Sequence, residues 1–226
     1  MPLYVVATPI GNLQDASPRA LETLRAADAI VCEDTRVTAK LLAANGIQRP
    51  LLSHHHHSTQ DKTADIIERL GNDETLALVT DAGTPAISDP GGMLVRDVYA
   101  ALGEDVKIIP IPGPSACIAA LSVSGFPADR FVFLGFPPHK NGRQTYFKEL
   151  AARPETVVFY ESTHRIEKTL EQLGAVIGDR PLVVCRELTK LHETIYRGTA
   201  AEILAALAAT SIKGEFVIVV GPYVRA

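Results

Sequence analysis

The chain has 226 residues but only three cysteines, Cys32, Cys117 and Cys185, widely spaced and without a Cys-x-x-Cys pair. With that spacing and an odd number, reduced core thiols are the simplest reading. Long hydrophobic runs are missing too: no apolar stretch approaches the roughly 18 residues of a membrane helix. The start, MPLYVVATP, lacks a basic region, a long apolar stretch and a cleavage site, so it reads as the first strand of a mature cytosolic protein. Positive charge is not in excess: 22 Lys and Arg against 26 Asp and Glu give a net charge of −4 and a pI near 6.0. This balance argues against indiscriminate nucleic-acid binding and leaves room for a local basic face. Nucleotide fingerprints are absent as well. ATPIGNL, after the first strand, carries only Gly11, so it is neither Gly-x-Gly-x-x-Gly nor a phosphate loop, which disfavours a standard dinucleotide enzyme. There is no internal repeat and no low-complexity tract beyond the histidines His54 to His57.

With 46% hydrophobic and 21% charged residues, the composition is that of a globular protein, long enough for one large domain or two small ones. Strand-like runs at Leu3–Thr8, Ala29–Asp34, Pro50–His54, Leu76–Asp81 and Val106–Pro112 alternate with amphipathic stretches at Pro18–Ala27, Thr35–Asn45, Gln60–Leu70 and Gly92–Leu102. Such βα alternation predicts a largely parallel sheet covered by helices. Ser17-Pro18 reads as an N-cap with a first-turn proline, and Asn45-Gly46 and Leu102-Gly103 as helix stops. After Pro112 the pattern changes. Phe131–Phe136, Thr156–Glu161, Pro181–Leu188, Thr194–Gly198 and Glu215–Gly221 form a second strand set, and Arg186 to Arg197 is too short for an intervening helix, which predicts a hairpin and a mixed sheet. Proline and glycine are densest in IPIPGPSA, so the expectation is an N-terminal α/β domain over residues 1–112 and a C-terminal α/β domain with a mixed sheet over 113–226, with a ligand cleft between them.

Two loops look built for a ligand. LALVTDAGTPAISDPGG, Leu76 to Gly92, runs from a buried strand into a segment where Gly83 lets backbone approach a bound molecule and Pro85 and Pro90 stiffen the path. Asp89-Pro90 is expected to supply the N-cap and first-turn proline of the next helix. An ordinary strand-to-helix connection is the alternative. In PIPGPSACIAAL, Pro110 to Leu121, Ser115 opens a helix of small residues whose free amides suit a polar ligand group; close helix packing would ask for the same residues. His139, Lys140, Arg143 and Lys148 group together, as do Arg165 with Lys168 and Arg186 with Lys190, and each group reads as solvated surface or as a contact face. His55 and His57 alternate and would point the same way on an extended segment, but further metal ligands are not identifiable, so no metal is expected.

TPIGNLQD at Thr8–Asp15, EDTR at Glu33–Arg36, TDAGTPAISDPG at Thr80–Gly91, PIPGPSA at Pro110–Ala116, FYESTHR at Phe159–Arg165, RELTKLHE at Arg186–Glu193 and KGEFVIVV at Lys213–Val220 occur in one order along almost the whole chain. In this combination the sequence resembles the ribosomal RNA small subunit methyltransferase I family, within the tetrapyrrole-methylase superfamily. The resemblance implies the two-domain α/β fold of class III methyltransferases, a homodimer, a cytoplasmic location and S-adenosylmethionine as cofactor. It also implies 2′-O-methylation of a cytidine ribose in the decoding region of 16S rRNA, within the 30S subunit. Carried over on matching motifs, the cofactor contacts would be Pro9, Asp81, Thr84, Ile87, Ser115, Ala116, Tyr160 and Gly214. These are mostly neutral groups, which suits a cationic sulfonium. The family usually continues into a small C-terminal domain after the last strand, whereas this sequence stops at Ala226.

A ribose hydroxyl is a poor nucleophile until its proton leaves, so methyl transfer asks for alignment and a nearby base. Glu33, Asp34, Glu161, Glu187, Lys190 and His164 are candidates. Glu187 or Lys190 is preferred as proton acceptor or its positioning partner, with Arg36, Arg165 and Arg186 on phosphates. Two other readings stand beside this one: a small-molecule methylase acting on a tetrapyrrole or corrin, disfavoured by EDTR, RELTK and the glycine-poor first loop, and a non-catalytic module that binds a nucleotide or RNA.

Overall fold

The computed structural model describes residues 1–55 and 60–223. The chain divides into two compact units, Met1–Ser115 and Ala116–Ala226. In unit 1 the strands β1 (Pro2–Val6), β2 (Ala29–Cys32), β3 (Leu51–Ser53), β4 (Leu76–Leu78) and β5 (Lys107–Ile111) form one sheet in the order β3-β2-β4-β1-β5. Every pairing is parallel. Because side chains alternate along a strand, the two faces have separate cores. Val6, Ile30, Cys32, Ala77 and Val79 meet Ala20 and Leu24 of α1 (Pro18–Ala26) and Leu42 of α2 (Thr35–Ala44). Leu3, Val31, Leu76 and Leu78 meet Ile66 and Leu70 of α3 (Gln60–Gly71) and Leu94 and Val98 of α4 (Gly91–Leu102).

Local chemistry sets the helix ends. Ser17 Oγ accepts from the Ala20 amide ahead of Pro18. Gly46 at φ 63° and Gly103 at φ 54° take the left-handed turns that stop α2 and α4. The start of α4 differs from expectation. Pro90 occupies the N-cap position itself, and Asp89 Oδ1 accepts from the amides of both Gly91 and Ala86, at 2.7 and 2.8 Å. The carboxylate therefore staples the loop as well as the helix.

Unit 2 contains β6 (Phe131–Phe133), β7 (Thr156–Ser162), β8 (Leu182–Arg186), β9 (Thr194–Gly198) and β10 (Glu215–Val220), in the order β6-β7-β10-β8-β9. Only β6 and β7 pair in parallel; the other pairings are antiparallel, and β8 and β9 form the expected hairpin. One face is covered by α6 (Arg143–Ala151), α7 (Ile166–Ile177) and α8 (Ala200–Ala209), through Phe147, Leu150, Leu170, Leu173, Ile203 and Leu207. Helix α5 (Ala116–Ser124) packs against β10 and β7. All three cysteines are buried and unpaired. Among the described residues no helix is long and apolar enough to cross a membrane.

A buried charge cluster holds the helical face of unit 2. Glu161, 1% exposed, takes the guanidinium of Arg165 at 2.8 Å, that of Arg143 at 3.5 Å and the hydroxyl of Thr169 at 2.6 Å. Arg143 also donates to Gln172 and the Pro138 carbonyl and lies over the Phe147 ring. Arg143 is thus interior, not part of a solvated basic face as its neighbours in sequence suggested. A buried ion pair stripped of one partner is costly because the other charge stays desolvated. Glu161→Ala is expected to lower the unfolding free energy by about 3–5 kcal/mol, read as a shifted urea midpoint; an unshifted midpoint would contradict this role.

Candidate functional site

All strands of unit 1 run the same way, so the loops after β1, β2, β4 and β5 leave from one edge of the sheet. Helices α1 and α4 depart to opposite faces, so the loops after the neighbouring strands β1 and β4 part company there. Such a switch point is where open parallel sheets bind ligands. Here the loops are tied together. Thr8 and Gly83 exchange backbone hydrogen bonds of 2.9 and 3.1 Å. Buried Thr8 also donates its hydroxyl to the Thr80 carbonyl at 3.1 Å. Thr84 donates to the Pro114 carbonyl at 3.1 Å, joining the TDAGTP loop to the PGPS loop. Asp81 accepts from the Asp34 amide at 3.1 Å and so joins the EDTR loop.

Pro9, Asp81, Thr84 and Ser115 therefore lie on one braced set of loops, and Ile87, 46% exposed, stands on the same β4 loop. Ala86 and Ser88 on either side of it have φ of 73° and 66°, conformations that cost of order 1–3 kcal/mol each in a non-glycine residue and collect at functional loops. At Gly83 glycine is favoured by the positive φ of 87°, since an added Cβ would make only an ordinary contact with Ile10 Cγ2 at 3.4 Å. At Gly113 an added Cβ would stand 3.0 Å from Ala7 Cβ. Burial raises the Asp81 carboxyl above its ordinary value, with the negative charge of Asp34 adding to it, while Arg36 draws Asp34 down to about 2.

In unit 2, Ala116 begins α5, but its helix start is less open than the sequence suggested, since the Cys117 amide donates to the Tyr160 hydroxyl at 3.2 Å. The Tyr160 ring meets Phe133 and Phe136 edge-on at 4.9 and 5.4 Å, and burial pushes its phenol up to about 12. Gly214, at φ 131°, exchanges hydrogen bonds with Thr163 Oγ1 and faces Glu187, where an added Cβ would come within 2.6 Å of Glu187 Cγ. Glu187 Oε1 accepts from Lys190 Nζ at 2.9 Å and from the Glu215 amide at 2.9 Å, and Lys190 reaches Glu215 at 2.8 Å. Burial opposes the charge of Glu187, yet the Glu215 amide, Lys190 and Arg186 outweigh it and hold the carboxyl below its ordinary value. Burial also opposes the charge of Lys190, and its two carboxylates outweigh it in turn, so the ammonium stays protonated and is a donor, not a base.

The three arginines separate. The Arg36 guanidinium is 87% exposed and chelated by Asp34 at 2.6 Å. Arg186 holds the carbonyls of Lys213 and His192. Arg165, only 16% exposed and committed to Glu161 and the Pro137 carbonyl, is an internal strut where a phosphate contact was expected. Glu161 is likewise removed from the candidate bases by its burial between two guanidinium groups. His54 is buried, 3.2 Å from Thr63 Oγ1, with burial lowering its pKa; His57 lies outside the described residues. Thr8 and Gly113 were missed in the sequence, although both border the expected loops; only the pairing of Thr8 with Gly83 and the closeness of Gly113 to Ala7 show what they do.

Residues 2–204 match the family model for tetrapyrrole (corrin/porphyrin) methylases. The chain is 51% identical to ribosomal RNA small subunit methyltransferase I of Xylella fastidiosa, covering 96% of this chain and 80% of the relative. It is 46% identical to the protein of that name from Escherichia coli O157:H7, covering 96% and 77%. Among solved structures it is similar to a cobalt precorrin-4 methyltransferase of cobalamin biosynthesis, with a TM-score of 0.70, 20% identity and coverage of 97% of this chain and 94% of the other. Uroporphyrin-III-C-methyltransferase from Thermus thermophilus gives a TM-score of 0.67 at 18% identity, with the same coverage. At these identities the structures show a shared fold.

Two outcomes test the geometry. Gly83→Ala is expected to cost about 1–3 kcal/mol of stability through its positive φ alone, and a neutral change in urea unfolding would remove the constraint. Lys190→Met should lower stability near neutrality and leave it unchanged at both pH extremes. The folded Glu187 carboxyl lies below its unfolded value near 4.5, so the contribution of the pair is present above that pH and lost as pH falls through the folded value. The folded Lys190 lies above its unfolded value near 10.5, so the contribution is present below that pH and lost as pH rises through the folded value. The stability gap between wild type and Lys190→Met should be flat near neutrality and close towards both extremes; a gap constant in acid would contradict the pairing.

Proposed function

Because the chain belongs to the tetrapyrrole (corrin/porphyrin) methylase family and, within it, to the ribosomal RNA small subunit methyltransferase I family, we propose that it methylates the 2′-hydroxyl of a cytidine ribose in the decoding region of 16S rRNA, using S-adenosylmethionine. The observation that carries this reading is the 45–51% identity, over almost the whole chain, to relatives that bear the rRNA methyltransferase name. The substrate form is 16S rRNA assembled in the 30S subunit, the enzyme is a homodimer, and it acts in the cytoplasm.

The loops of unit 1 fit the cofactor. The glycines at 83 and 113 let these loops pack closely on Ile10 and Ala7, and no cationic side chain stands among Pro9, Asp81, Thr84, Ile87 and Ser115. The Asp81 carboxylate favours a positive ligand. In unit 2 the proposed contacts are Ala116, Tyr160 and Gly214. When bound, S-adenosylmethionine supplies a methyl group made electrophilic by its cationic sulfonium. The part of the chain is then to hold the ribose oxygen in line and to receive its proton, and alignment by itself is worth about 7–11 kcal/mol.

Glu187 is the proton acceptor of this reading. Among the described residues its hydrogen bonds converge on Oε1, so Oε2 takes the proton as the ribose oxygen gains the methyl group. A carboxylate held below its ordinary pKa is a modest base, which puts its effect at the low end of the roughly 10²–10⁴-fold of general-base catalysis. Lys190, kept protonated, positions that carboxylate. Arg36 and Arg186 are the phosphate contacts, and Arg165 is left out because of its burial.

The test is mass-spectrometric mapping of ribose methylation in rRNA from cells with and without the gene. Loss of one 2′-O-methyl cytidine from 16S rRNA is the expected result, and an unchanged rRNA map would turn the reading towards a small-molecule substrate. Calorimetry should show binding of S-adenosylhomocysteine but not NAD, and light scattering twice the 24.3 kDa chain mass. Arg36→Ala should flatten the dependence of log affinity for 30S subunits on log salt by about one unit.

A further inference from the structure

Three neighbouring strands of unit 2 bring their ends together around Glu187. In the sheet order β7-β10-β8, β10 runs antiparallel to both neighbours, so the carboxyl ends of β7 and β8 flank the start of β10. Thr163 follows β7, Gly214 precedes β10 and Glu187 follows β8. Glu187 has φ of 53°, a conformation that costs a non-glycine residue free energy unless its surroundings enforce it. Its amide donates to the Glu215 carbonyl at 2.9 Å. Its side chain lies across Gly214, where an added Cβ would stand 2.6 Å from Cγ and 3.0 Å from both Cδ and Oε1. Thr163 Oγ1 in turn donates to the Gly214 carbonyl at 2.6 Å and accepts from the Gly214 amide at 2.7 Å. One hydroxyl thus satisfies both backbone groups of the residue on which Glu187 lies.

The Gly214 carbonyl and the Glu215 amide belong to one peptide group, which is planar and trans, so its C=O and N–H point in opposite directions. Thr163 holds the oxygen on one side, and on the other the amide donates to Glu187 Oε1 at 2.9 Å. We propose that Thr163 is a positioning residue for methyl transfer: through this peptide it fixes the amide that holds Glu187 Oε1, and so leaves Oε2 aimed at the ribose hydroxyl. The inference deepens the reading given above and rests on it, with Glu187 as proton acceptor. Hydrogen bonds in a chain polarise one another, so the bond from Thr163 also strengthens the Glu215 amide as a donor. Lys190, the other donor to Oε1, is a flexible ammonium shared with the Glu215 carboxylate, and it supplies charge without fixing direction. The charged groups around Glu187 are Lys190 and Arg186 from its own turn and, across Lys190, Glu215 from β10; Thr163, at the end of β7, acts on it without charge.

The experiment follows single-turnover methylation of 30S subunits from cells lacking the gene, with methyl-labelled S-adenosylmethionine, as a function of pH. It compares wild type, Thr163→Val, Thr163→Ser, Glu187→Gln and the double variant of Thr163→Val with Glu187→Gln, with S-adenosylhomocysteine calorimetry and urea unfolding run in parallel. Thr163→Val should slow the turnover about tenfold, as slight misplacement of a reacting group does, with S-adenosylhomocysteine affinity unchanged. Its acid limb should move to higher pH. Burial opposes the charge of Glu187 and the Glu215 amide is foremost among the groups that outweigh it, so a loosened amide lets the carboxyl pKa rise, and only the ionised carboxylate takes the proton. Thr163→Ser, which keeps the hydroxyl, should restore both rate and limb. In the Glu187→Gln background Thr163→Val should slow the reaction no further, since the two residues act as a unit. An unchanged rate in Thr163→Val, a serine variant no better than valine, or a full further loss in the double variant overturns the positioning role and leaves Glu187 in place. A lowered urea midpoint with an unmoved acid limb overturns it in favour of a purely structural role, and weakened S-adenosylhomocysteine affinity in favour of the cofactor contact at Gly214. Glu187→Gln as fast as wild type overturns the proton acceptor, and wild-type protein that methylates no RNA in 30S subunits overturns the rRNA reading; the inference falls with either.

Discussion

Five parallel strands in unit 1 impose one constraint from which the candidate site follows: every carboxyl-end loop leaves from the same edge of the sheet. The loops are then drawn together by a few polar ties, of which the Thr8–Gly83 backbone pair is the most consequential because it crosses the place where the chain leaves for opposite faces. A buried threonine hydroxyl, a glycine with positive φ and two prolines leave this edge with little freedom. Rigid backbone is what a catalyst that works by alignment needs, since misplacement of the reacting atoms is costly.

Unit 2 solves a different problem. Its sheet is mixed, so its loops do not collect at one edge, and its polar chemistry is organised by two carboxylates with contrasting surroundings. Glu161 is sealed between two guanidinium groups and a threonine and serves the packing of α6 and α7 against β7. Glu187 stands at a strained turn, partly open, with its hydrogen bonds on one oxygen. The same residue type thus becomes a strut in one place and a chemically available group in the other, because burial and the number of donors differ.

Much of the architecture was legible in the sequence. Period-2 and period-3.6 patterns placed the strands and the helices α1 to α4 to within a few residues, but not α6, α7 and α8, and Ser17-Pro18, Asn45-Gly46 and Leu102-Gly103 marked helix ends through chemistry confined to neighbouring residues. Strands were overextended at their carboxyl ends. Asp34, for instance, reads as the end of a strand but turns to cap α2 through the Arg36 amide. The motifs of the family were likewise contiguous, which is why the candidate loops could be marked before any fold was known.

Charge was the part the sequence misplaced. Arg143 and Arg165 lie among other basic residues and read as surface, yet both are interior: the partners of Arg143, Glu161, Thr169 and Gln172, lie up to 29 residues away, and Arg165, four residues from Glu161, is also tied to the Pro137 carbonyl 28 residues back. The 93% exposure of Leu191 was equally invisible, since a leucine flanked by Lys190 and His192 has the same letters whether it points inward or out. What the sequence determined by itself was local: which segments turn, cap, alternate or bare their backbone. Tertiary structure alone decided which charges are desolvated and which apolar side chain is left in water, because burial is a property of segments brought together from distant parts of the chain.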